Sequence, residues 1–144
     1  MLYQNTPQIS ASKVPGVIFA SGVTTPLVPL NNSQTISFLI ASGEGTAGNS
    51  TITVEGRAGA DGTPAAIPFL FSENGGSYTE VDAAGQQVTI GGGSGASKFW
   101  LVTISDQMLA SREFDRVLLK MSAVSSSTVN GAIYALTDQF RYSA

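Results

Sequence analysis

At least five segments of this chain alternate apolar and polar residues with a period of two, and turn-forming clusters separate them. Thr35–Ser42 puts Ile36, Phe38 and Ile40 on one face, and Thr51–Arg57 does the same with Ile52 and Val54. Ile67–Glu73 aligns Ile67, Phe69 and Phe71, and Arg116–Ala123 aligns Val117, Leu119 and Met121. Val129–Thr137 sets Ile133 and Ala135 opposite Ala132, Tyr134 and Leu136. Side chains of a strand point alternately to its two faces, so this pattern is that of strands with one buried face. Asn31-Asn32-Ser33, Asp61-Gly62, Asn74-Gly75-Gly76 and Ser125-Ser126-Ser127 punctuate them with turn chemistry. About seven to nine such strands predict an all-β fold, an antiparallel β-sandwich or barrel-like domain.

Other segments fill in the order. Val17 to Ala20 reads as a short strand. Thr25–Leu30 carries Pro26 and Pro29, which confine it to a sheet edge or a surface path. Thr35–Ser42 and Thr51–Arg57, joined by a Gly43–Asn49 loop, read as an antiparallel hairpin. Gln86–Ile90 is a further strand, and Gly91–Gly95 a flexible tip. Lys98–Ser105 is apolar on both faces, with Trp100, Val102 and Ile104 against Phe99 and Leu101, so it is expected to be central and covered twice. Asp106–Glu113 is the one short helix, capped by Ser105 or Asp106. Asp138–Ala144 is a tail. The expected core is Phe38, Ile52, Phe69, Trp100, Leu101, Leu119 and Ile133. Residues 1–15 are polar and proline-bearing and read as an extended N-terminal arm, ahead of a single β domain over 16–144.

Composition removes most chemistry. There is no cysteine and no histidine, which excludes thiol nucleophiles, histidine triads and the usual zinc sites. Seven basic residues against ten acidic ones give a net charge of −3. The basic residues are dispersed, without the stripe that a nucleic-acid surface needs. The longest uncharged stretch, Val14–Gly43, is broken by Pro15, Pro26 and Pro29 and makes no membrane helix. Met1-Leu2-Tyr3-Gln4-Asn5 lacks the basic-then-apolar form of a secretory leader.

Several formal motifs dissolve in context. Gly43-Glu44-Gly45-Thr46-Ala47-Gly48 matches a dinucleotide-binding glycine pattern, but Thr51-Ile52-Thr53-Val54 follows where that fold needs a helix. The acidic pairs Glu80/Asp82 and Glu113/Asp115 would share a strand face, yet both adjoin turns, where charge is ordinarily solvated. The sequons at Asn31 and Asn49 matter only to a secreted chain. Trp100 reads as core; exposed, it would be a stacking platform for sugar. No enzyme, cofactor or metal is therefore expected.

Taken end to end, the chain resembles small virion proteins of tailed bacteriophages. The residues that carry the likeness are Met1-Leu2-Tyr3-Gln4-Asn5-Thr6-Pro7 and the closing run Ala132–Tyr142, with Ile36–Val54, Asp106–Glu113 and Phe114-Asp115-Arg116-Val117 between them. In that group an apolar strand often leads into Asp-Pro-Arg-Tyr; here Gln139-Phe140 stand within that ending. The resemblance implies a head decoration, or cement, protein. Such a protein is made in the host cytoplasm and bound as a homo-oligomer to the major capsid protein on the capsid exterior. It implies no enzyme and no cofactor. Leu2, Tyr3, Ile9, Phe140 and Tyr142 would then be partner contacts, apolar anchors near the two termini. A tail or tail-tip component that binds the host, and a carbohydrate-binding β-sandwich, are the alternatives.

Overall fold

The inward rows of apolar residues close on one another as two facing sheets. The computed structural model describes residues 3–30, 33–93 and 97–142, with side chains from 15 onward except at 33–34 and 138–142. The strands are β1 (Tyr3–Val17), β2 (Val23–Thr24), β3 (Val28–Pro29), β4 (Ser33–Ser42), β5 (Gly45–Arg57) and β6 (Ala65–Ile67). They continue as β7 (Phe69–Glu73), β8 (Thr79–Val81), β9 (Gln86–Gly92) and β10 (Lys98–Ser105). The helix α1 (Asp106–Ala110) precedes β11 (Arg116–Met121) and β12 (Asn130–Tyr142). The first sheet runs β1-β12-β4-β10-β7-β8. The second runs β2-β11-β5-β6, with β3 also on β11 and β9 also on β5. The pairings are antiparallel, as the sequence pattern requires of an all-β sandwich.

The core is the space between the sheets. Ile36, Phe38 and Ile40 of β4 and Trp100, Val102 and Ile104 of β10 face Ile52, Val54, Val117 and Leu119 from the second sheet, all fully buried. Phe69, Ile90, Leu109 and Ile133 complete the set. The helix forms where expected. Ser105 has extended backbone and its Oγ accepts the Met108 N–H at 3.2 Å, satisfying one of the donors a helix start leaves open. Leu109 from this turn closes one end of the sandwich.

Several expectations give way. β4 and β5 are not a hairpin, because they lie in different sheets. Both edges of β4 are taken, by β12 and β10, and both edges of β5 by β11 and by β6 with β9. Only Gly43 and Glu44 separate β4 from β5, and the Gly43 N–H is fixed on the Asn130 carbonyl at 2.8 Å. Most of the expected loop is strand, with Gly48–Ile52 zipped along Ile90–Gln86. Ile67–Glu73 is likewise two strands in two sheets, parted at Pro68, which has no N–H to give a ladder. Val17–Ala20 is not a strand of its own. β1 ends at Val17, and Phe19 follows it into the core at 0% exposure. Leu101 is not core: it lies half-buried on the outer side of β10.

The opening segment does not stand apart from its own chain. Residues 3–17 pair with β12 from Tyr3 opposite Tyr142 to Val17 opposite Asn130. A strand is bound by its backbone groups, so a segment poor in large apolar residues can still join a sheet. The expected tail at 138–144 is, up to Tyr142, the continuation of β12.

Phe38→Ala is expected to lower stability by about 3–5 kcal/mol, and Leu101→Ala by less than half of that, because only the first opens a cavity. Urea unfolding followed by Trp100 fluorescence measures both. Native emission should be that of a buried indole and shift red on unfolding.

Candidate functional site

The two outer faces of the sandwich differ in kind. On the first sheet the outward residues fall into cross-strand rows: Leu70, Thr103, Ser37 and Leu136; Ser72, Leu101, Leu39 and Tyr134; Phe99, Ala41 and Ala132. None of them is charged. The Ser37 and Thr103 hydroxyls satisfy each other at 3.0 Å. Leu39, Leu70, Leu101, Tyr134 and Leu136 are half-buried, and Phe99 is 40% exposed. Among the described side chains charge enters at the far edge, where Glu80 of β8 lies opposite Leu70, and at the Lys98 end of β10. The second sheet instead presents Glu55, Arg57, Arg116 and Lys120. Lys120 Nζ lies 2.7 Å from Glu55 Oε1, and Arg57 lies 4.0 Å from Glu55 Oε2.

Phe99 is held rigidly. The Asn74 N–H donates to the Phe99 carbonyl at 2.8 Å, and the Phe99 N–H donates to Asn74 Oδ1 at 2.9 Å. Asn74 reaches this geometry with φ at +50°, a left-handed conformation that Asn tolerates better than most residues. The same turn folds Gly76 onto Ser72, whose Oγ donates to the Gly76 carbonyl at 2.8 Å. Beside Phe99 the surface drops into a groove of about 640 Å³. Its floor is made of Ala41, Gly43, Gly131 and Ala132, and Pro15 of β1 stands on the far side. Lys98 lies at the rim, its Nζ donating to the Thr89 carbonyl at 3.3 Å.

The contact residues read from the sequence fall in the β1–β12 ribbon. Tyr3 is opposite Tyr142, Phe140 opposite Asn5, and Ile9 opposite Leu136. Leu2 lies outside the described residues. The last pairing of β12 with β4 joins Gln139 to Ser33, so three residue pairs, Tyr3–Asn5 with Tyr142–Phe140, extend past β4. Register thus gathers Tyr3, Phe140 and Tyr142 at one end of the ribbon and leaves Ile9 within the sheet.

One acid of each pair fastens a loop. Asp82 Oδ1 accepts the Ala84 N–H at 3.0 Å within its turn. Asp115 Oδ1 accepts the Gly59 N–H at 2.9 Å and the Arg116 Nε–H at 3.2 Å, pinning the loop after β5. The Gly59 bond, with Arg116 adding to it, holds the Asp115 carboxyl below its ordinary value. Trp100 is core, fully buried. Its indole Nε1–H finds no hydrogen-bond partner among the described residues. The glycine motif at 43–48 runs into β5 and meets no helix. Among the described residues no three acidic side chains converge as a metal site.

Sequence reasoning missed Phe99 and Asn74 as a pair. Asn74-Gly75 was legible only as a turn. The usable signal was that β10 carries Phe99 and Leu101 on its outer row as well as an apolar inner one.

No protein-family model matches the sequence, and no curated protein matches it. Among solved structures, the fold is shared with the SPBc2 prophage-derived protein YomS, at a TM-score of 0.57 and 7% identity over 96% of both chains. A family 11 carbohydrate-binding module from Clostridium thermocellum aligns at a TM-score of 0.40 and 10% identity, over 96% of this chain and 86% of that one. A Bacillus endospore appendage protein, from disulfide-linked pili, aligns at 0.38 and 11%, over 94% and 90%. The last two likenesses are too slight to carry an argument.

Asn74→Ala is expected to cost about 1–2 kcal/mol, through the lost acceptor and the strained backbone. Asn74→Gly should recover the backbone part only, and urea denaturation of the two variants separates the contributions. For Asp115 the folded pKa is the lower one. Its contribution is present above the unfolded value, near 3.8, and is lost as pH falls through the folded value. Asp115→Asn should therefore flatten the stability–pH curve in that acid window.

Proposed function

We propose that this chain is a structural virion protein that binds the outer surface of a tailed-phage head and stabilises contacts between capsomers. The observation that carries the reading is the β1–β12 ribbon. Two terminal segments zip together through backbone bonds and extend past β4 by three residue pairs, about 10 Å at the rise of a strand. Tyr3, Phe140 and Tyr142 lie in that extension, the kind of aromatic anchor that dominates protein contacts. A rigid sandwich with an extension of this sort suits a subunit that ties neighbours together. The fold held in common with a prophage-derived protein supports the setting, as does the resemblance in sequence to small virion proteins. Packaged DNA pushes capsomers apart, and many modest ties across a lattice resist that push together. The partner in this reading is the major capsid protein, and no reaction is assigned.

Removing residues 2–5 together with 140–144 tests it. The sandwich should stay folded, since β12 keeps β1 and β4 as partners up to Gln139. Binding to purified heads should weaken by about tenfold or more, roughly 1.4 kcal/mol at the least. Heads carrying the truncated chain should open at a lower temperature. Equal binding of the truncated and full chains would overturn the role of the ribbon. Recovery of the protein only on tails, after virions are split into heads and tails, would replace the head with the tail.

A further inference from the structure

We infer that the outer face of the first sheet is a two-fold contact between two copies of this chain, with Phe99 of each copy seated in the groove of the other. β10 carries Phe99 and Leu101 on its outer face as well as an apolar inner row, and β4 adds Leu39 and Ala41 beside them, apolar surface that calls for cover. The core covers one face, and the described part of the chain leaves Phe99 exposed and Leu39, Leu70, Leu101, Tyr134 and Leu136 half-buried on the other. What covers it must be flat, apolar and tolerant of an acidic chain.

A second copy meets each requirement. The chain carries −3, so two copies approach against a net repulsion, and an uncharged surface adds nothing to it. The rows of β7, β10, β4 and β12 hold no charge, and two such faces can meet without adding to it. The second sheet, with Glu55, Arg57, Arg116 and Lys120 outward, would have to strip water from four charged groups of each copy. Shape agrees with charge. An isologous contact needs a projection and its matching recess on the same surface. Phe99 forms one wall, 40% exposed with its ring tip against Gly75; Ala41 and Ala132 follow it in the same row, and the recess lies over them, about two strand spacings or 10 Å across. The Asn74 clamp orders the Phe99 backbone in advance, which lowers the entropy lost on contact.

Area sets the strength. Four strands at about 4.8 Å by seven residues at about 3.4 Å give on the order of 450 Å² per copy, or about 900 Å² in all. That falls below the roughly 1,200 Å² of stable complexes and within the range of transient ones. The contact is therefore a transient one, monomeric when dilute. The edge of β1 offers no rival route. Pro7 and Pro15 interrupt its donors, and its register shifts between Ala11 and Lys13 and again before Gly16.

This inference stands apart from the virion reading, because it concerns the free protein. Sedimentation of the full chain from about 1 µM to 1 mM tests it, with Phe99→Ala to remove the exposed ring, Ala41→Glu to charge the recess, and Arg116→Ala as a control on the other face. Circular dichroism and Trp100 emission check folding. The wild type and the control should dimerise with rising concentration, and the two face variants should require at least tenfold more protein. A wild type that stays monomeric throughout overturns the inference, and if Phe99→Ala then also loses head binding, the face belongs to the capsid. Undiminished dimerisation of both variants overturns it as well. Should the variants fail to fold, hydrogen exchange of the wild type decides. Protection that grows with concentration at β4, β10 and β12 supports the contact, and its absence there overturns it.

Discussion

Everything in this molecule hangs on the burial of two apolar rows against each other. The inner faces of β4 and β10 and those of β5 and β11 belong to one cluster, running through Phe38, Trp100, Val54 and Leu119. That burial is the main force holding the layers together. It also dictates the connections. The links β4–β5, β6–β7, β9–β10 and β11–β12 each carry the chain from one sheet to the other. A strand whose inner face is already satisfied leaves its successor free to build the opposite wall. Gly131 shows how tight the fit becomes at the rim: a Cβ there would stand 2.4 Å from the Phe19 ring, so the ring packs directly on backbone.

What the sequence displays and what it hides follow from the range of the forces involved. Alternation is local, so the strands Thr35–Ser42, Lys98–Ser105 and Arg116–Met121 and the inward choice of Ile36, Phe69 and Ile133 were legible. The Ser105 cap was legible for the same reason. Pairing is not local. Nothing near Gly43 says that Ser42 will find Gly131 and Lys98 rather than its own successor. Nor does the polar character of residues 3–17 announce a strand, because backbone hydrogen bonds hold it and leave no trace in side-chain pattern. Phe19 escaped for the opposite reason: one aromatic in a turn has no period. Of the site, the outer row of β10, Phe99 and Leu101, was visible, yet read as a second layer of core.

Trp100 shows the cost that a core of this kind can carry. Its ring fills the centre of the first sheet at 0% exposure, while its N–H goes unpaired among the described residues. An orphaned buried donor costs about 1–3 kcal/mol. Full burial of so large a ring offsets that loss, since aromatic side chains bury about 150–250 Å² each. A phenylalanine would remove the penalty but leave a void, and voids in a close-packed core are expensive in their own right. The indole is retained on volume rather than on polarity.

Edges and faces of a β-sandwich lead to different assemblies, and this chain treats them differently. An open edge adds strands without limit and leads to fibres. Here each edge is spoiled. β1 has its prolines and register shifts, β8 is three residues long, and the β11 side of the second sheet is capped by the two short pieces β2 and β3, the latter ending in Pro29. On the other side β6 and β9 share β5 between them, so no single long edge is offered. A face, in contrast, is used up once it is covered, and an isologous contact closes on itself. A chain that blunts its edges and leaves one uncharged face open has therefore restricted itself to finite assemblies. In the capsid role proposed above that restriction is an advantage, because uncontrolled growth from the edges would compete with docking.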